Sequence, residues 1–317
     1  MNDIFTDALH NRIDKIYEYL RIGSINIKDD NGMTLLHYAC LGAANEVAIH
    51  LIEQGINVNA IDFSGQTAIF IAVRNKLFGI TKALVENHAN LGIVNNRGES
   101  LISIAVLNGT KQIVEYLLDN YNFDLTISNI NLENVLFYAI KGRKFDLFKR
   151  FVEADKDLIY AKDYHNTNLL QAAIKYNDID AFNYLKDKIS IYQLDNLDNN
   201  AVMYVARYAN SAIAIEFFKL HPIIEAKNKE QLTIEDIQYE NTYDITHIIE
   251  MYKNSYDYIS YLRTYPLHVA VIKKDYNVLM AYHYDKNKKD IYNTSILDLA
   301  KTVGDANILK ILQNKDE

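Results

Sequence analysis

The fold of this chain is decided by the stretch Asp29-Asp30-Asn31-Gly32-Met33-Thr34-Leu35-Leu36-His37-Tyr38-Ala39, because its pattern returns along the sequence. The first four residues are a turn signal, since an Asp side chain accepts backbone hydrogen bonds and Gly tolerates positive φ. An apolar run follows and contains a small residue, Ala39. The stretch therefore predicts a tight turn and then a helix that neighbouring helices can approach closely.

The alanine at position 39 has counterparts about every 33 residues, a spacing typical of repeat proteins. The counterparts are Ala8, Ala72, Ala105, Ala139, Ala173, Ala206, Gln238 in place of alanine, Ala270 and Ala300. Eight residues after each alanine, a second helix is expected to place Ile16, Val47, Ile80, Ile113, Leu147, Ala181, Ala214, Thr246, Val278 and Ile308. An apolar residue four positions later shares the same helix face. Each period thus predicts one pair of helices.

The later turns keep Asp or Asn at their start but lose the glycine. We place their starts at Asn129, Asp163, Asn196, Asn228 and Asp290. The replaced glycine falls at Leu132, Asn166, Asn199, Gln231 and Asn293. Asparagine adopts the left-handed conformation at little cost and leucine does not, so we expect the turn at Leu132 to be altered.

These features resemble the ankyrin repeat family, whose unit is a β-turn plus two helices with a Thr-Pro-Leu-His start. That start reads Thr34-Leu35-Leu36-His37 and Tyr265-Pro266-Leu267-His268, and the family's return loop reads Gly55-Ile56-Asn57-Val58-Asn59-Ala60. The resemblance covers roughly residues 3–315 and is weakest between 225 and 265. It implies an all-α ankyrin-repeat solenoid of about ten helix-turn-helix units with short β-turn or hairpin tips.

We expect residues 1–317 to form a single ankyrin-repeat domain, because no linker or low-complexity run divides the array. Its expected parts are an N-terminal cap at about 1–28, repeats at about 29–288 and a C-terminal cap at about 289–317.

Composition and charge exclude several classes of partner. The chain is 49% hydrophobic and 23% charged, which is globular, and its net charge of −8 gives no general attraction to nucleic acid or to an anionic membrane. No apolar run approaches the ~20 residues that cross a bilayer, and the amino terminus has no signal-peptide pattern. With one cysteine, Cys40, no internal disulfide can form. We expect a monomeric cytoplasmic protein without nucleic-acid or membrane partners.

Two groupings suggest chemistry. Cys40 with His37 could form a thiolate nucleophile and its base, but the resemblance implies that His37 and His268 are hydrogen-bonding braces, and a free cysteine usually packs as a small buried residue. His268, His283 and Asp285 could suggest a metal site, but no ligand motif supports one, so we predict neither metal nor cofactor.

A basic run, Lys286-Asn287-Lys288-Lys289, is flanked by Tyr282, Tyr284 and Tyr292 and could contact a polyanion. A solvated loop fits the acidic chain better.

By resemblance to the family, partners are held by turn tips and by the first helix of each pair, seven or eight positions after its Thr-equivalent start. At the tips these positions hold Phe63, Ile130, Tyr164, His165 and Tyr292; on the helices they hold Arg74, Asn75, Lys141, Lys175, Tyr176 and Tyr208. Exposed aromatic and arginine side chains are frequent anchors of protein interfaces. Other tyrosines, Tyr38, Tyr138 and Tyr204, are expected to fill seams between helices.

The sequence thus predicts a non-enzymatic module that binds a partner protein through its concave face and turn tips. Scarce proline, absent tryptophan and frequent Asn, Ile, Lys and Tyr are typical of an AT-rich genome. Ankyrin proteins from such sources resemble effectors delivered into a host cytoplasm, so an effector is considered beside a scaffold. The alternative is an enzyme or modifying factor whose active site lies in the degenerate repeats near 225–290, since a repeat fold does not exclude chemistry.

Overall fold

A computed structural model describes residues 3–281, 285 and 288–314 of the 317-residue chain. Short α-helices joined by turns account for the regular structure of these residues, which form no β-sheet. None of the helices among them is long and apolar enough to cross a membrane. The predicted all-α repeat class is confirmed. The chain divides into two compact units, an N-terminal unit, Met1–Leu158, and a C-terminal unit, Ile159–Glu317.

Helices of the N-terminal unit follow one another in pairs. Their bounds are α1 (Ile4–Leu9), α2 (Ile13–Leu20), α3 (Leu35–Leu41), α4 (Asn45–Glu53), α5 (Ala68–Arg74), α6 (Phe78–Glu86), α7 (Leu101–Asn108), α8 (Lys111–Asn120), α9 (Val135–Lys141) and α10 (Phe145–Ala154). A 3₁₀ turn, Lys156–Tyr160, includes the residues at which the first unit ends and the second begins. Each first helix packs against its own second helix and against the first helices on either side; α3, for example, contacts α4, α1 and α5. This nearest-neighbour packing is the arrangement that repeat proteins use.

The C-terminal unit begins in the same way. Its bounds are α11 (Leu169–Lys175), α12 (Ile179–Leu185), α13 (Ala201–Tyr208), α14 (Ser211–Phe218), α15 (Ile234–Ile237), a 3₁₀ turn (Gln238–Glu240), α16 (Thr246–Lys253), α17 (Tyr256–Thr264), α18 (Pro266–Lys273), α19 (Tyr276–Ala281), α20 (Ile296–Val303) and α21 (Ala306–Asn314). Helix α17 has no counterpart in the sequence pattern. It leads into α18 through Tyr265 alone, in place of the usual turn.

The predicted alanine ladder lies in the core. Ala39 and its alanine counterparts are fully buried or nearly so, which allows first helices to pack closely. The second-helix positions are also buried, with three exceptions. Phe148, Ile245 and Leu279 occupy the core where the sequence pattern placed Leu147, Thr246 and Val278, which are only half-buried.

One hydrogen-bond pattern builds the turns that precede first helices. In the turn at 163–167, Asp163 Oδ1 accepts from the backbone N–H groups of His165 (2.9 Å) and Thr167 (2.8 Å). The same pattern starts at Asp29, Asp62, Asn95, Asn129, Asp195, Asn228 and Asp290. Antiparallel bridges such as Lys162 with Asn168 close the tips, so the expected hairpin tips are confirmed.

Two details of the turn prediction are wrong. The turn after α12 starts at Asp195 rather than Asn196, and Asp198, not Asn199, adopts the left-handed conformation with φ of 62°. The reason is that Asp195 is the residue whose carboxylate receives the turn amides, while Asn199 is buried and donates its side-chain amide to that same carboxylate (3.0 Å). The register of this turn is therefore one residue earlier than the alanine ladder implies.

The turn at Leu132 is not altered, contrary to expectation. Leu132 adopts a φ of 60° and donates its N–H to the Asn129 carbonyl at 2.8 Å, as the glycine turns do. The Asn129 side chain accepts from the amides of Asn131 (2.8 Å) and Glu133 (3.0 Å). Together these bonds outweigh the roughly 1–2 kcal/mol that left-handed backbone costs a residue with a Cβ.

Tyrosine hydroxyls hold the backbone where the repeat pattern is weakest. Tyr192, Tyr252 and Tyr258 all reach residues 222–224: Tyr192 and Tyr258 accept from N–H groups at 2.9 and 3.2 Å, and Tyr252 donates to a carbonyl at 2.8 Å. Burial raises the pKa of all three phenols, so they act as neutral hydrogen-bonding groups. They satisfy backbone groups in a segment that has neither helix nor turn to do so.

Candidate functional site

The turn tips are linked into hydrogen-bonded rows within each unit. In the C-terminal unit, the N–H of Asn196 donates to the His165 carbonyl and the N–H of Lys229 donates to the Leu197 carbonyl, both at 2.9 Å. The corresponding donors in the N-terminal unit are Phe63, Asn96 and Ile130, at 2.8–2.9 Å from carbonyls of the preceding tip. Residues at the tips are therefore displayed on fixed backbone.

A cleft of about 150 Å³ lies in the C-terminal unit between the tips at 163–167 and 195–199 and the helices α11 and α13. Three residues predicted to contact a partner line it: His165 from the first tip, Lys175 at the end of α11, and Tyr208 at the end of α13. Tyr176 lies beside it, because the Lys175 ammonium is 5.8 Å from the ring centres of both Tyr176 and Tyr208. The structure thus gathers four of the predicted residues at one place.

The floor of the cleft is a buried hydrogen-bond network. The Tyr204 hydroxyl donates to Asp195 Oδ2 (3.0 Å) and lies 3.1 Å from Thr167 Oγ1. Burial and the nearby Asp195 carboxylate raise the pKa of Tyr204, so its proton stays on the ring oxygen. The network ties both tips to α13 and fixes the shape of the cleft.

Tyrosine in this bracing position recurs along the chain. The Tyr38 hydroxyl donates to Asp29 Oδ2 at 2.8 Å, and the Tyr138 hydroxyl accepts from Asn129 Nδ2 at 2.9 Å. Like Tyr204, each lies nine residues after the start of its turn. The prediction that these tyrosines fill seams between helices is confirmed for Tyr138 and Tyr204, which are buried; Tyr38 is half-buried.

Arg207 and Met203 also line the cleft but were not among the predicted contact residues. A signal for Arg207 was present in the sequence. It lies seven positions after Asn200, the N-cap of α13 and the equivalent of Thr34. The misplaced turn start hid this relation, since counting from Asp195 is what identifies Asn200 as the cap.

The other predicted contact residues lie apart from the cleft. At the tips, Phe63, Ile130 and Tyr164 are 75%, 66% and 66% exposed, so they are available to a partner. Tyr292 is 42% exposed, and its ring also packs against the rings of His221 and Tyr261 at 5.8 and 5.7 Å between centres.

The predicted contact residues on helices of the N-terminal unit form hydrogen bonds or ion pairs within that unit. Arg74 is exposed and donates to Gln66 Oε1 (2.7 Å). Asn75 donates to the Cys40 carbonyl (3.1 Å), and Lys141 forms an ion pair with Glu133 (2.5 Å). Asn75 and Lys141 therefore have structural partners that the sequence did not indicate.

The histidines considered for catalysis act as braces. His37 Nδ1 lies 3.1 Å from the Thr34 N–H nitrogen, and its Nε2 lies 3.1 Å from the Gln66 carbonyl of the next turn. His268 Nε2 has the same relation to the Thr294 carbonyl (3.0 Å). Cys40 is fully buried, and burial raises the pKa of its thiol, which disfavours the reactive thiolate. The bracing interpretation is confirmed by these contacts.

Two other groupings fall partly outside the described residues. His283 of the suggested metal group lies there, and so do Lys286, Asn287, Tyr282 and Tyr284 of the basic run. Over residues 3–281, 285 and 288–314, no group of three His, Cys, Asp or Glu side chains is placed to hold a metal ion.

Comparison with known proteins bears on the repeat pattern. A family model described as ankyrin repeats (3 copies) matches residues 6–95, 76–160 and 102–195. Together these matches span residues 6–195, more than half of the chain, and reach the first of the two tips that border the cleft. The search of curated proteins gave no match.

Proposed function

Because the chain belongs to the ankyrin repeat family, we propose that it is a non-enzymatic protein-binding module that holds its partner at the cleft of the C-terminal unit and the adjoining turn tips. Ankyrin repeats are generally protein–protein interaction modules, and the family is generally non-enzymatic. The single observation that carries the proposal is the position of His165, Lys175 and Tyr208, which come from different elements yet line one cleft.

The cleft has the character of an interface centre. Its lining offers tyrosine and arginine, the side chains most often found at binding hot spots. The buried network beneath it is already formed, so little conformational entropy is lost when a partner docks. Exposed Tyr164, on the tip that carries His165, extends the surface.

The alternative function, an enzyme with its site near 225–290, lacks a comparable observation among the residues of that range that the structure describes. His268 is buried and bonded to a carbonyl, and the phenols of Tyr252 and Tyr258 are neutral supports for the backbone. We further propose that the protein acts in the cytoplasm as a monomer, either as a scaffold or as an effector in a host cell; its acidic, cysteine-poor composition supports this.

The test is capture of partners from a lysate of the native cell or its host, followed by mass spectrometry. The full chain is compared with a His165→Ala/Lys175→Ala variant, whose side chains are exposed, so that folding is expected to be unchanged. A Tyr164→Ala/Tyr176→Ala variant tests the adjoining surface. Tyr160→Ala is the matched control, because Tyr160 is 64% exposed but does not line the cleft.

The proposal predicts proteins that are retained by the full chain and by Tyr160→Ala but lost with both double variants. Circular dichroism should show unchanged helicity in all of them. If every captured protein binds the double variants as well as it binds the parent chain, the cleft is not the binding surface.

A further inference from the structure

We propose that the cleft of the C-terminal unit binds carboxylate side chains, so that the partner presents a short acidic segment there. This inference rests on the proposed function and names the chemistry of the partner. It follows from which hydrogen-bonding groups of the cleft are already used and which are not.

The one carboxylate that lines the cleft, Asp195, is already occupied by donors of the protein. Asp195 Oδ1 accepts the backbone N–H groups of Leu197 (2.8 Å) and Asn199 (2.9 Å). Its Oδ2 accepts the Asn199 side-chain amide and the Tyr204 hydroxyl, both at 3.0 Å. Since four donors already surround this carboxylate, it has little capacity left for a cationic ligand.

Lys175 has no carboxylate partner among the residues that the structure describes. Its ammonium lies 5.8 Å from the ring centres of Tyr176 and Tyr208, and it forms no ion pair with any side chain in the described part of the protein. Cation–π contacts of this kind hold an ammonium in position but leave its three N–H donors unused. A carboxylate entering the cleft would receive them.

Arg207 is only partly satisfied. Its Nε lies 2.8 Å from Glu240 Oε2, yet the buried Nε–H has no hydrogen-bond partner among the described residues, because the N–H does not point at that oxygen. Glu240 is 53% exposed, so water competes for its charge. The guanidinium fork of Arg207, 22% exposed, suits a planar carboxylate that approaches from the cleft.

An acidic run fits this arrangement better than a single chain terminus or a phosphate. Two cations line the cleft, Lys175 from α11 and Arg207 from α13, so an acidic run can offer a carboxylate to each. Met203 and Tyr208 supply apolar wall for the methylene groups of glutamate. The net charge of −8 does not oppose this locally, since charges more than ~8 Å apart are largely screened at physiological salt.

The probe for the test is a fluorescein-labelled hexaglutamate peptide with an amidated carboxyl end, titrated with the full chain at about 0.15 M ionic strength and then at higher salt. Anisotropy should show saturable binding that weakens as salt is added. Lys175→Gln and Arg207→Gln should each weaken binding about tenfold, the effect of one charge-assisted hydrogen bond. Glu240→Gln should strengthen binding about twofold or more, because it removes a competing carboxylate from Arg207.

Lys188→Gln is the matched control. Lys188 is exposed in the same unit, and its ammonium also lies over a tyrosine ring, 3.8 Å from the centre of Tyr184, but it is not part of the cleft. Its substitution should leave the affinity unchanged. Circular dichroism of Arg207→Gln verifies folding, because that side chain is half-buried.

Several outcomes would overturn the inference: no saturable binding of hexaglutamate, equal loss with Lys188→Gln, or equal binding of a hexaglutamine peptide with a free carboxyl end. Displacement by inorganic phosphate at lower concentration than by free glutamate would assign the cleft to phosphate instead. If captured partners depend on the cleft but hexaglutamate does not bind, only the acidic segment is refuted. If cleft-dependent capture fails, the proposed function is refuted whatever the peptide does.

Discussion

Replacing Asp195 with alanine should destabilise the C-terminal unit strongly, because this one carboxylate organises a turn and the floor of the cleft. It accepts from two backbone N–H groups, from the Asn199 side chain and from the Tyr204 hydroxyl at 2.8–3.0 Å. Asn199 and Tyr204 are 4% and 8% exposed. Water therefore replaces the lost acceptor for these two donors poorly.

The size of the loss in stability depends on how exposed each of the four donors is. One of the two turn amides belongs to Leu197, which is 48% exposed, so water can recover that bond. Each of the two buried donors loses a bond to a charged group, worth about 1.5–3 kcal/mol. We expect Asp195→Ala to lower the free energy of unfolding by about 3–5 kcal/mol.

Asparagine at the same position should cost far less, and the chain itself shows why. At the equivalent turn start, Asn129 accepts both turn amides through its oxygen and donates its Nδ2 to the Tyr138 hydroxyl at 2.9 Å. An asparagine at 195 can serve Tyr204 in the same way and leaves only the Asn199 amide without its acceptor. We expect Asp195→Asn to cost about 1–2 kcal/mol.

The assay is urea unfolding followed by circular dichroism, combined with hydrogen exchange of residues 195–204 read by mass spectrometry. Exchange is needed because repeat arrays do not always unfold in one step. Asp187→Ala is the control, since Asp187 is exposed in the same unit, and should change stability by less than about 0.5 kcal/mol. Equal losses for Asp195→Ala and Asp195→Asn, or losses no larger than the control, would refute the reasoning.

Three further predictions concern other parts of the fold. Burial lowers the pKa of His37, so below about pH 6.5 the unfolded chain binds a proton that the folded chain does not. The free energy of unfolding therefore decreases as the pH is lowered. His37→Gln should reduce that decrease when unfolding is compared at about pH 7 and about pH 5. Gln171 already fills the equivalent position as a capping residue, so an unchanged acid dependence would contradict the assignment rather than indicate misfolding. Leu132→Gly should raise stability by up to about 1 kcal/mol in thermal unfolding, because it relieves a φ of 60°; a clear loss would show that the exposed side chain has a stabilising contact. Tyr252→Phe should cost about 1–2 kcal/mol in the same assay, because the Pro222 carbonyl loses a hydroxyl donor at 2.8 Å; no cost would show that this bond is replaceable by water.

The sequence predicted what depends on periodicity and local chemistry. A small residue is required wherever first helices meet, and an Asp or Asn is required at each turn start for its side-chain oxygen. Both features therefore recur at a regular spacing that the sequence shows directly. The bracing role of His37 came from the resemblance to the ankyrin repeat family, and its two hydrogen bonds confirm that role.

Features that depend on three-dimensional competition were missed. Asp195 and Asn196 are both able to start a turn, and only the contacts of Asn199 and Tyr204 decide between them. Choosing Asn196 shifts the predicted start of α13 by one residue, and for that reason Arg207 was not recognised as a contact position. The turn at Leu132 was predicted wrongly because the backbone preference of leucine does not reveal how much the hydrogen bonds of neighbouring Asn129 stabilise the turn.

The cleft was predicted in its parts but not as a site. His165, Lys175 and Tyr208 were chosen separately, and their convergence depends on how the tips and helices of the C-terminal unit pack. The packing of Tyr292 against His221 and Tyr261 likewise depends on helix α17, which departs from the repeat period.

Because Cys40 is buried, its reactivity reports transient local opening of the folded protein. The chain has one cysteine, which lies fully enclosed on α3, between α1 and α5. A maleimide can reach that sulfur only in molecules whose helices have transiently separated. The rate at which Cys40 is alkylated therefore measures how often this separation occurs. The dynamics of the N-terminal unit can thus be timed on the unmodified polypeptide, without introducing a label.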